Sequence, residues 1–440
     1  MLAAVAEQEW KDLVIPLAAC LFAFTCLLLG LRAVKRRRLV DDIPTSKTTG
    51  IFIGLVEVKG TAESPAPLTS FLAESRCVYY TWNIQERWSR TVTETYTDSQ
   101  GRTQTRTRHE SGWTTVASGG ESIPFYLRDD YGAVLVRPEG ATIEPVTVFN
   151  RTCRPDDPLY YGKGPANAVM NSDHVRCFSE KAIPLHNPLY VMGYARERKD
   201  VVAPEIAADP SAPLFLISTR SEQQISRRMA WEAWLLFIAG LGLIVAGGAI
   251  LINTTQSPGW LIGGVVGYLT ALILGYVWML YNSLVGLGQR VRQAWSLVDV
   301  QLKRRHDLIP NLLSVVTGLR DYERQLQTEL AALRAQLEAT PPGVDGPDFH
   351  GIKRTLIAVS EKYPELKAQD SFMNLQKNLA DTETRIALAR GYFNDITTHY
   401  NTRLETIPDR YIARLARLQP QPLMGANDFE RAPIEVNFAT

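Results

Sequence analysis

Three stretches of this chain are apolar at nearly every position, and two longer portions alternate between apolar and polar residues with different periods. No residue is charged from Leu13 to Leu31, from Ala233 to Ile252, or from Trp260 to Tyr281. A helix of roughly 20 apolar residues covers the ~30 Å hydrocarbon layer of a bilayer, so each run is expected to span a membrane. The second and third are joined only by Asn253–Gly259 and should form a hairpin. Between Thr45 and about Thr219 short runs rich in Val, Ile, Tyr and Thr, separated by Gly and Pro, predict strands. Ile51–Val58, Cys77–Ile84 and Ala133–Val136 are three of them, and the polar stretch from Ser89 to Ser111 reads as either a long exposed hairpin or a loop.

After Tyr281 the apolar positions recur every three or four residues: Leu284, Leu287, Val291, Trp295, Val298, Leu302, then Arg305, Ile309, Leu312, Val316 and Leu319. The third span should therefore run on as one long helix whose stripe must be covered by a partner. A second stripe, from Phe372 through Leu375, Leu379, Thr382, Ile386, Ala389, Phe393, Ile396 and Tyr400 to Leu404, supplies an antiparallel partner. Pro341-Pro342-Gly343 separates the two stripes, and a shorter helix is expected near Gly351–Lys362, closed by Tyr363-Pro364, giving a bundle of three or four helices. Pro310 removes a backbone donor and clashes with the carbonyl of His306, so a kink or short break belongs there.

Charge then orients the chain. Arg32, Lys35, Arg36, Arg37 and Arg38 follow the first run, Arg227 and Arg228 precede the second, and Arg290 and Arg292 follow the third. Cations are retained on the cytoplasmic side, which predicts an outside N-terminus and places residues 32–232 and 282–440 in the cytoplasm. A secretory leader carries cations before its apolar core, whereas Glu7, Glu9, Lys11 and Asp12 stand there, so the first run is expected to remain as an anchor. Leu17-Ala18-Ala19-Cys20 looks like a lipoprotein cleavage box, but the apolar core lies mostly after that cysteine. Tryptophans 10, 231, 234, 260 and 278 fall near the expected span ends, where amphipathic rings are favoured. Gly263, Gly267, Ala271 and Gly275 recur every four residues and would let another helix approach, unless they only reflect the general abundance of glycine in membrane helices.

The domains expected are an anchor over 1–44 with its span at about 13–31, a β-rich domain over 45–225, a membrane hairpin over 226–281, and a helical bundle over 282–440. The 47 basic and 46 acidic residues leave a formal charge of +1, giving no global field for nucleic acid. Five scattered cysteines, with no CxxC pair, argue against a disulfide framework or a zinc site. Cys77 is the one candidate nucleophile in the β-rich portion, and a cysteine followed by Val-Tyr-Tyr in a strand is more often a buried small hydrophobe. Arg102, Arg106 and Arg108 could meet anionic headgroups, although a solvated loop is the plainer reading.

The most charged point of the long helix is Asp299–Asp307. Asp299 and Lys303 form a favourable i,i+4 pair, whereas Arg305 occupies an inward position and needs a carboxylate opposite it, such as Glu383 or Asp395. His306 and His399 lack metal-ligand spacing, and no GxSxG, phosphate-binding glycine loop or metal triad occurs, so neither enzyme activity nor a cofactor is expected.

Two resemblances add to this reading. Pro44-Thr45-Ser46-Lys47, Gly54–Gly60, Pro67–Ser70, Cys77-Val78-Tyr79-Tyr80, Phe125–Asp129 and Gly140-Ala141 resemble the GIDE domain. That domain is known from a ubiquitin ligase in which a separate RING domain performs the transfer, and no RING-like cysteine and histidine spacing occurs here. Tyr281–Val285, Ala294-Trp295-Ser296, Asp299–Arg305, Asp307–Leu312, Tyr363–Ala368 and Thr382–Ala387 resemble the LemA family. That resemblance implies a bacterial, membrane-anchored helical bundle without known catalysis, and it marks Asp299, Lys303, Arg304, Arg305, Asp307, Pro310, Asn311, Glu383 and Arg385 as structural or interaction residues. The expected whole is an α+β membrane protein: a GIDE-like β-rich domain, three transmembrane helices and an all-α antiparallel bundle. As a scaffold it would have the lipid bilayer and further copies of itself as partners. As an adaptor in membrane-protein quality control or envelope stress, it would meet a membrane protease or client proteins.

Overall fold

A computed structural model describes residues 2–97, 103–198, 200, 203–210, 212–317 and 370–424. The chain divides into two compact units, one formed by Thr45–Ile225 and the other by Met1–Pro44 with Ser226–Thr440.

In the first unit, strands β1 (Thr45–Ser46), β2 (Gly54–Glu63), β3 (Leu68–Thr69), β4 (Arg76–Thr97), β5 (Thr103–Ser122), β6 (Phe125–Arg128) and β7 (Ala133–Val136) are followed by β8 (Thr142–Glu144), β9 (Val146–Cys153), β10 (Ser172–Pro184), β11 (Pro188–Glu197), β12 (Pro204–Ala207) and β13 (Leu216–Ser218). The strand expected at Ile51–Val58 thus begins and ends later, as β2, because Thr48–Gly50 forms a 3-10 turn and Gly54 takes a positive φ that starts the extended run. Strands β2, β6, β7, β12 and β11 close into a ring, antiparallel throughout except for the parallel β7–β12 pair. Closure leaves no free edge within the ring and gathers Val56, Val58, Leu127, Val136, Val191 and Ile206 in its interior. Gly60 is required at the β2–β6 crossing, where a Cβ would strike the carbonyl oxygen of Arg128.

A second sheet has β4 at its centre, flanked by β10 and by the long antiparallel partner β5, with β9 beyond β10. Pairing with β10 stops at Trp88, while the β4–β5 ladder continues to Thr97 opposite Thr103. The polar stretch is therefore a two-stranded ribbon, with Thr93 opposite Thr107 and Thr95 opposite Thr105. A five-residue helix, α2 (Pro158–Gly162), is capped by the Asp157 carboxylate and seats Tyr160 beneath this sheet.

The second unit contains α1 (Leu2–Asp42), α3 (Glu222–Thr255) from Ser226 onward, α4 (Gly259–Thr317), α5 (Asp370–Glu405) and α6 (Asp409–Leu415). Among the described residues, three helices are long and apolar enough to cross a membrane: α1, α3 and α4. Small residues set their approach. Gly30 of α1 lies against Phe237, and Gly247 of α3 lies against Pro16 and Ala19, so α1 and α3 are antiparallel. Gly264 meets Ile244, and Tyr268 both abuts Gly240 and donates to the Phe237 carbonyl at 3.0 Å, so α4 runs back along α3. Arg37 also donates to Ser226 at 3.1 Å, bringing the C-terminal end of α1 beside the early turns of α3.

Of the expected small-residue stripe, only Gly275 is closely approached, by Leu31 of α1. Gly263, Gly267 and Ala271 are exposed on this chain. The face packed within this chain is one residue over, at Gly264, Tyr268 and Leu272, with the Tyr268 ring lying against Gly240.

Helix α4 passes from the apolar run into its amphipathic portion without interruption. Of the kink or short break expected at Pro310, the break does not occur: one missing backbone donor perturbs one turn, and the helix continues to Thr317. Residues 318–369, with the expected breaker at Pro341-Pro342-Gly343 and the helix near Gly351–Lys362, lie outside the described residues.

Candidate interaction site

Helices α4 and α5 pack antiparallel in constant register. Gly288 lies against Tyr400, Trp295 meets Phe393 edge-to-face with ring centroids 5.4 Å apart, and Arg305 faces Glu383 at 3.5 Å. Every advance along α4 is matched by the same number of residues back along α5, which keeps one seam facing another over several turns. Leu287, Val291, Ala294, Val298 and Leu302 bury themselves against Ile386, Phe393, Ile396 and Tyr400. Full burial of such side chains contributes roughly 1.5–3 kcal/mol each. Trp295 departs from its expected inward position: it is 51% exposed, and the small Ala294 takes the seam so that the indole can cover the edge of Phe393.

The charged cluster of α4 divides as its helical positions dictate. Arg305 is buried and paired with Glu383, while Asp395 is exposed. Asp299 and Lys303 pair at 2.8 Å, and Arg304 and Asp307 are exposed. Arg385 pairs with Asp381 on its own helix at 2.9 Å, and Pro310 and Asn311 are helical. Because the Glu383 side chain is 38% exposed and can regain water, Arg305→Met should lower stability by no more than about 1 kcal/mol, read as a small shift of the thermal midpoint.

A more buried group of charges lies at the other end of the pair and was not legible in the stripes. Arg403 of α5 grips Asp42 of α1 through Nη1, at 2.7 and 2.5 Å from the two carboxylate oxygens, and its Nε donates to Asp409 of α6. Arg38 of α1 donates from Nη1 to the same Asp409 oxygen at 3.1 Å, and from Nη2 to the Tyr276 hydroxyl of α4 at 3.1 Å. Ser283 of α4 completes the chain by donating to Asp42 at 3.3 Å. Two arginines and two aspartates thus alternate in a neutral clasp that joins four helices, with Asp42 and Asp409 both buried. The signal available in the sequence was faint: Asp41-Asp42 ends a run of cations, and Asp409 opens a short helix after Pro408.

The first unit holds buried charge of a structural kind. Arg176 and Glu86 are both fully buried; Nε and Nη2 of Arg176 each donate to one Glu86 oxygen at 3.1 Å. The remaining donors of Arg176 reach the carbonyls of Tyr160, Pro165 and Asn167, and the guanidinium stands 4.0 Å from the Tyr160 ring centroid. Burial pushes the Glu86 carboxyl up, but hydrogen bonds from Ser172 and Arg176 outweigh it and leave it below the usual range. Cys77 is buried, and desolvation together with the nearby Glu180 carboxylate pushes its thiol up to about 11, which leaves it almost wholly protonated at neutral pH. Among the described residues, no three His, Cys, Asp or Glu side chains are grouped to hold a metal ion.

These features define a class: a protein with three apolar helices long enough to cross a membrane, a β unit built around a closed ring, and an antiparallel helix pair continuing from the third apolar helix. Residues 294–438 match the LemA family, and residues 93–252 match the family named GIDE, described as E3 ubiquitin ligase. The GIDE match begins inside the ribbon and ends in α3, whereas the resembling motifs between Pro44 and Tyr80 precede it and join the same unit through β2 and β4. The chain is 21% identical over 175 residues to protein LemA of Metamycoplasma hominis, an alignment covering 38% of this chain and 80% of that protein. It is 22% identical over 182 residues to magnetosome protein MamQ of Magnetospirillum gryphiswaldense, covering 34% of this chain and 64% of the relative. Magnetosome protein MamQ 2 of Paramagnetospirillum magneticum is 23% identical over 181 residues with the same coverage, so this chain spans under two thirds of the length of either magnetosome protein.

Proposed function

We propose that this protein is a non-catalytic scaffold of the bacterial inner membrane, which self-associates or organises partners on the cytoplasmic face. The observation that carries this reading is the continuity of α4, a single helix of 59 residues that leads from an apolar run straight into the α4–α5 seam. Similarity to LemA and to magnetosome proteins supports a membrane-associated role. The cations flanking the apolar runs favour an outside N-terminus with both remaining portions inside. Measuring the mass of the intact protein in native lipid should give a multiple of 49.2 kDa, and cross-linking in cells should capture mainly copies of itself. A monomer that recovers no partner and leaves membrane shape unchanged would refute the scaffold.

The GIDE match favours a second reading, an adaptor in membrane-protein quality control or envelope stress. A ubiquitin ligase acts on protein clients, and a β unit of that kind could retain client recognition without the transfer chemistry. Capture of a membrane protease or a client instead of further copies would decide for the adaptor.

A further inference from the structure

The short helix α6 has two unlike faces. Asp409 and Ala413, one turn apart, are each 3% exposed, whereas Ile407 just before the helix, Tyr411 and Leu415 are 69%, 62% and 84% exposed. Arg410, Arg414 and Arg417, all exposed, flank this outward apolar row. Its level is fixed by the clasp. Asp409 is held by Arg38, whose other nitrogen is bonded to Tyr276, a residue inside the last uncharged run of α4. Trp278 and Tyr281 stand on the next turn of α4, 72% and 44% exposed, as aromatic side chains do where hydrocarbon meets headgroups.

We infer that α6 lies in the interfacial layer of the same bilayer, with Ile407, Tyr411 and Leu415 entering the acyl boundary and the three arginines meeting anionic headgroups. An apolar row this exposed, beside cations and level with an aromatic belt, has the composition of an in-plane membrane helix, and it continues the lipid-facing surface of the apolar helices. Burial of Asp409 and Ala413 toward the clasp leaves the opposite face turned outward, so the helix docks through one side and presents the other. The inference rests on reading α1, α3 and α4 as spans.

The test uses the full chain in vesicles of phosphatidylcholine and phosphatidylglycerol, with a fluorophore on Leu415→Cys and, independently, on Tyr411→Cys. The signal of the labelled unsubstituted protein is subtracted. Shallow spin-labelled lipids should quench either label about twofold or more relative to a label on Ala387→Cys, an exposed position of α5 far along the seam. Arg410→Gln with Arg414→Gln and Arg417→Gln, or vesicles lacking phosphatidylglycerol, should weaken that quenching. A label on Leu274→Cys reports separately on the spans and should be quenched by deep spin labels. Quenching at Leu274 with none at Leu415 or Tyr411 would overturn the inference while leaving the spans intact, and absence at all three would overturn both. Cross-linking of two copies through Leu415→Cys, with no lipid quenching, would assign the face to a second copy instead.

Discussion

Replacing Arg403 with methionine should loosen α5 and α6 from α1 more than any comparable change in the helical unit. The substitution leaves Asp42 and Asp409 as buried carboxylates stripped of their shared guanidinium, and breaking a buried pair in this way costs about 3–5 kcal/mol. The expected result is a lower thermal midpoint of the intact protein in nanodiscs and faster protease cleavage near residues 405–409. Arg403→Lys retains the charge but cannot reach both carboxylates with one planar fork, so its loss should be intermediate. If both variants unfold and cleave as the unsubstituted protein does, the clasp has no part in fixing these helices.

Arg176→Met should have a similar effect on the β unit, about 3–5 kcal/mol, because it strands Glu86 and frees three backbone carbonyls of the 160–167 segment at once. Acid provides a second readout with a definite sign. In the unsubstituted protein the Glu86 carboxyl is held low, so its contribution to stability is present above the ordinary carboxylate range and is lost as pH falls through the lowered value. Without Arg176 the hydrogen bonds from Ser172 and Tyr160 still oppose burial, so the carboxyl moves up from its lowered value and the stability lost on acidification should shrink relative to the unsubstituted protein. Tryptophan fluorescence followed against denaturant at several pH values measures both trends. A variant whose stability falls with acid as steeply as that of the unsubstituted protein would show that Glu86 does not depend on Arg176.

Local pattern was enough for part of this architecture. The α4 and α5 seams follow from apolar residues three and four apart, and Arg305 was marked by standing where a leucine belongs. Strand β7 lies at Ala133–Val136, where Gly132 and Pro138 bound a β-branched run. The closed ring was not legible, because the parallel β7–β12 pair joins segments almost 70 residues apart and leaves no periodic trace in either. The clasp was equally hidden: Asp42 and Arg403 are 361 positions apart, and each looks like an ordinary solvated charge beside a helix end. Trp295 misled for a related reason, since a large aromatic at helical spacing suits the rim of a seam as well as its centre.

The unbroken course of α4 also has a mechanical meaning. From Tyr281 to Thr317 the rod extends roughly 50 Å at 1.5 Å per residue, so leaning by about 10° would carry its tip about 9 Å sideways. With α4 crossing a bilayer as proposed, a thinner or thicker lipid layer, by changing how steeply the apolar stretch must slant, would be converted into a displacement at the far end of the rod.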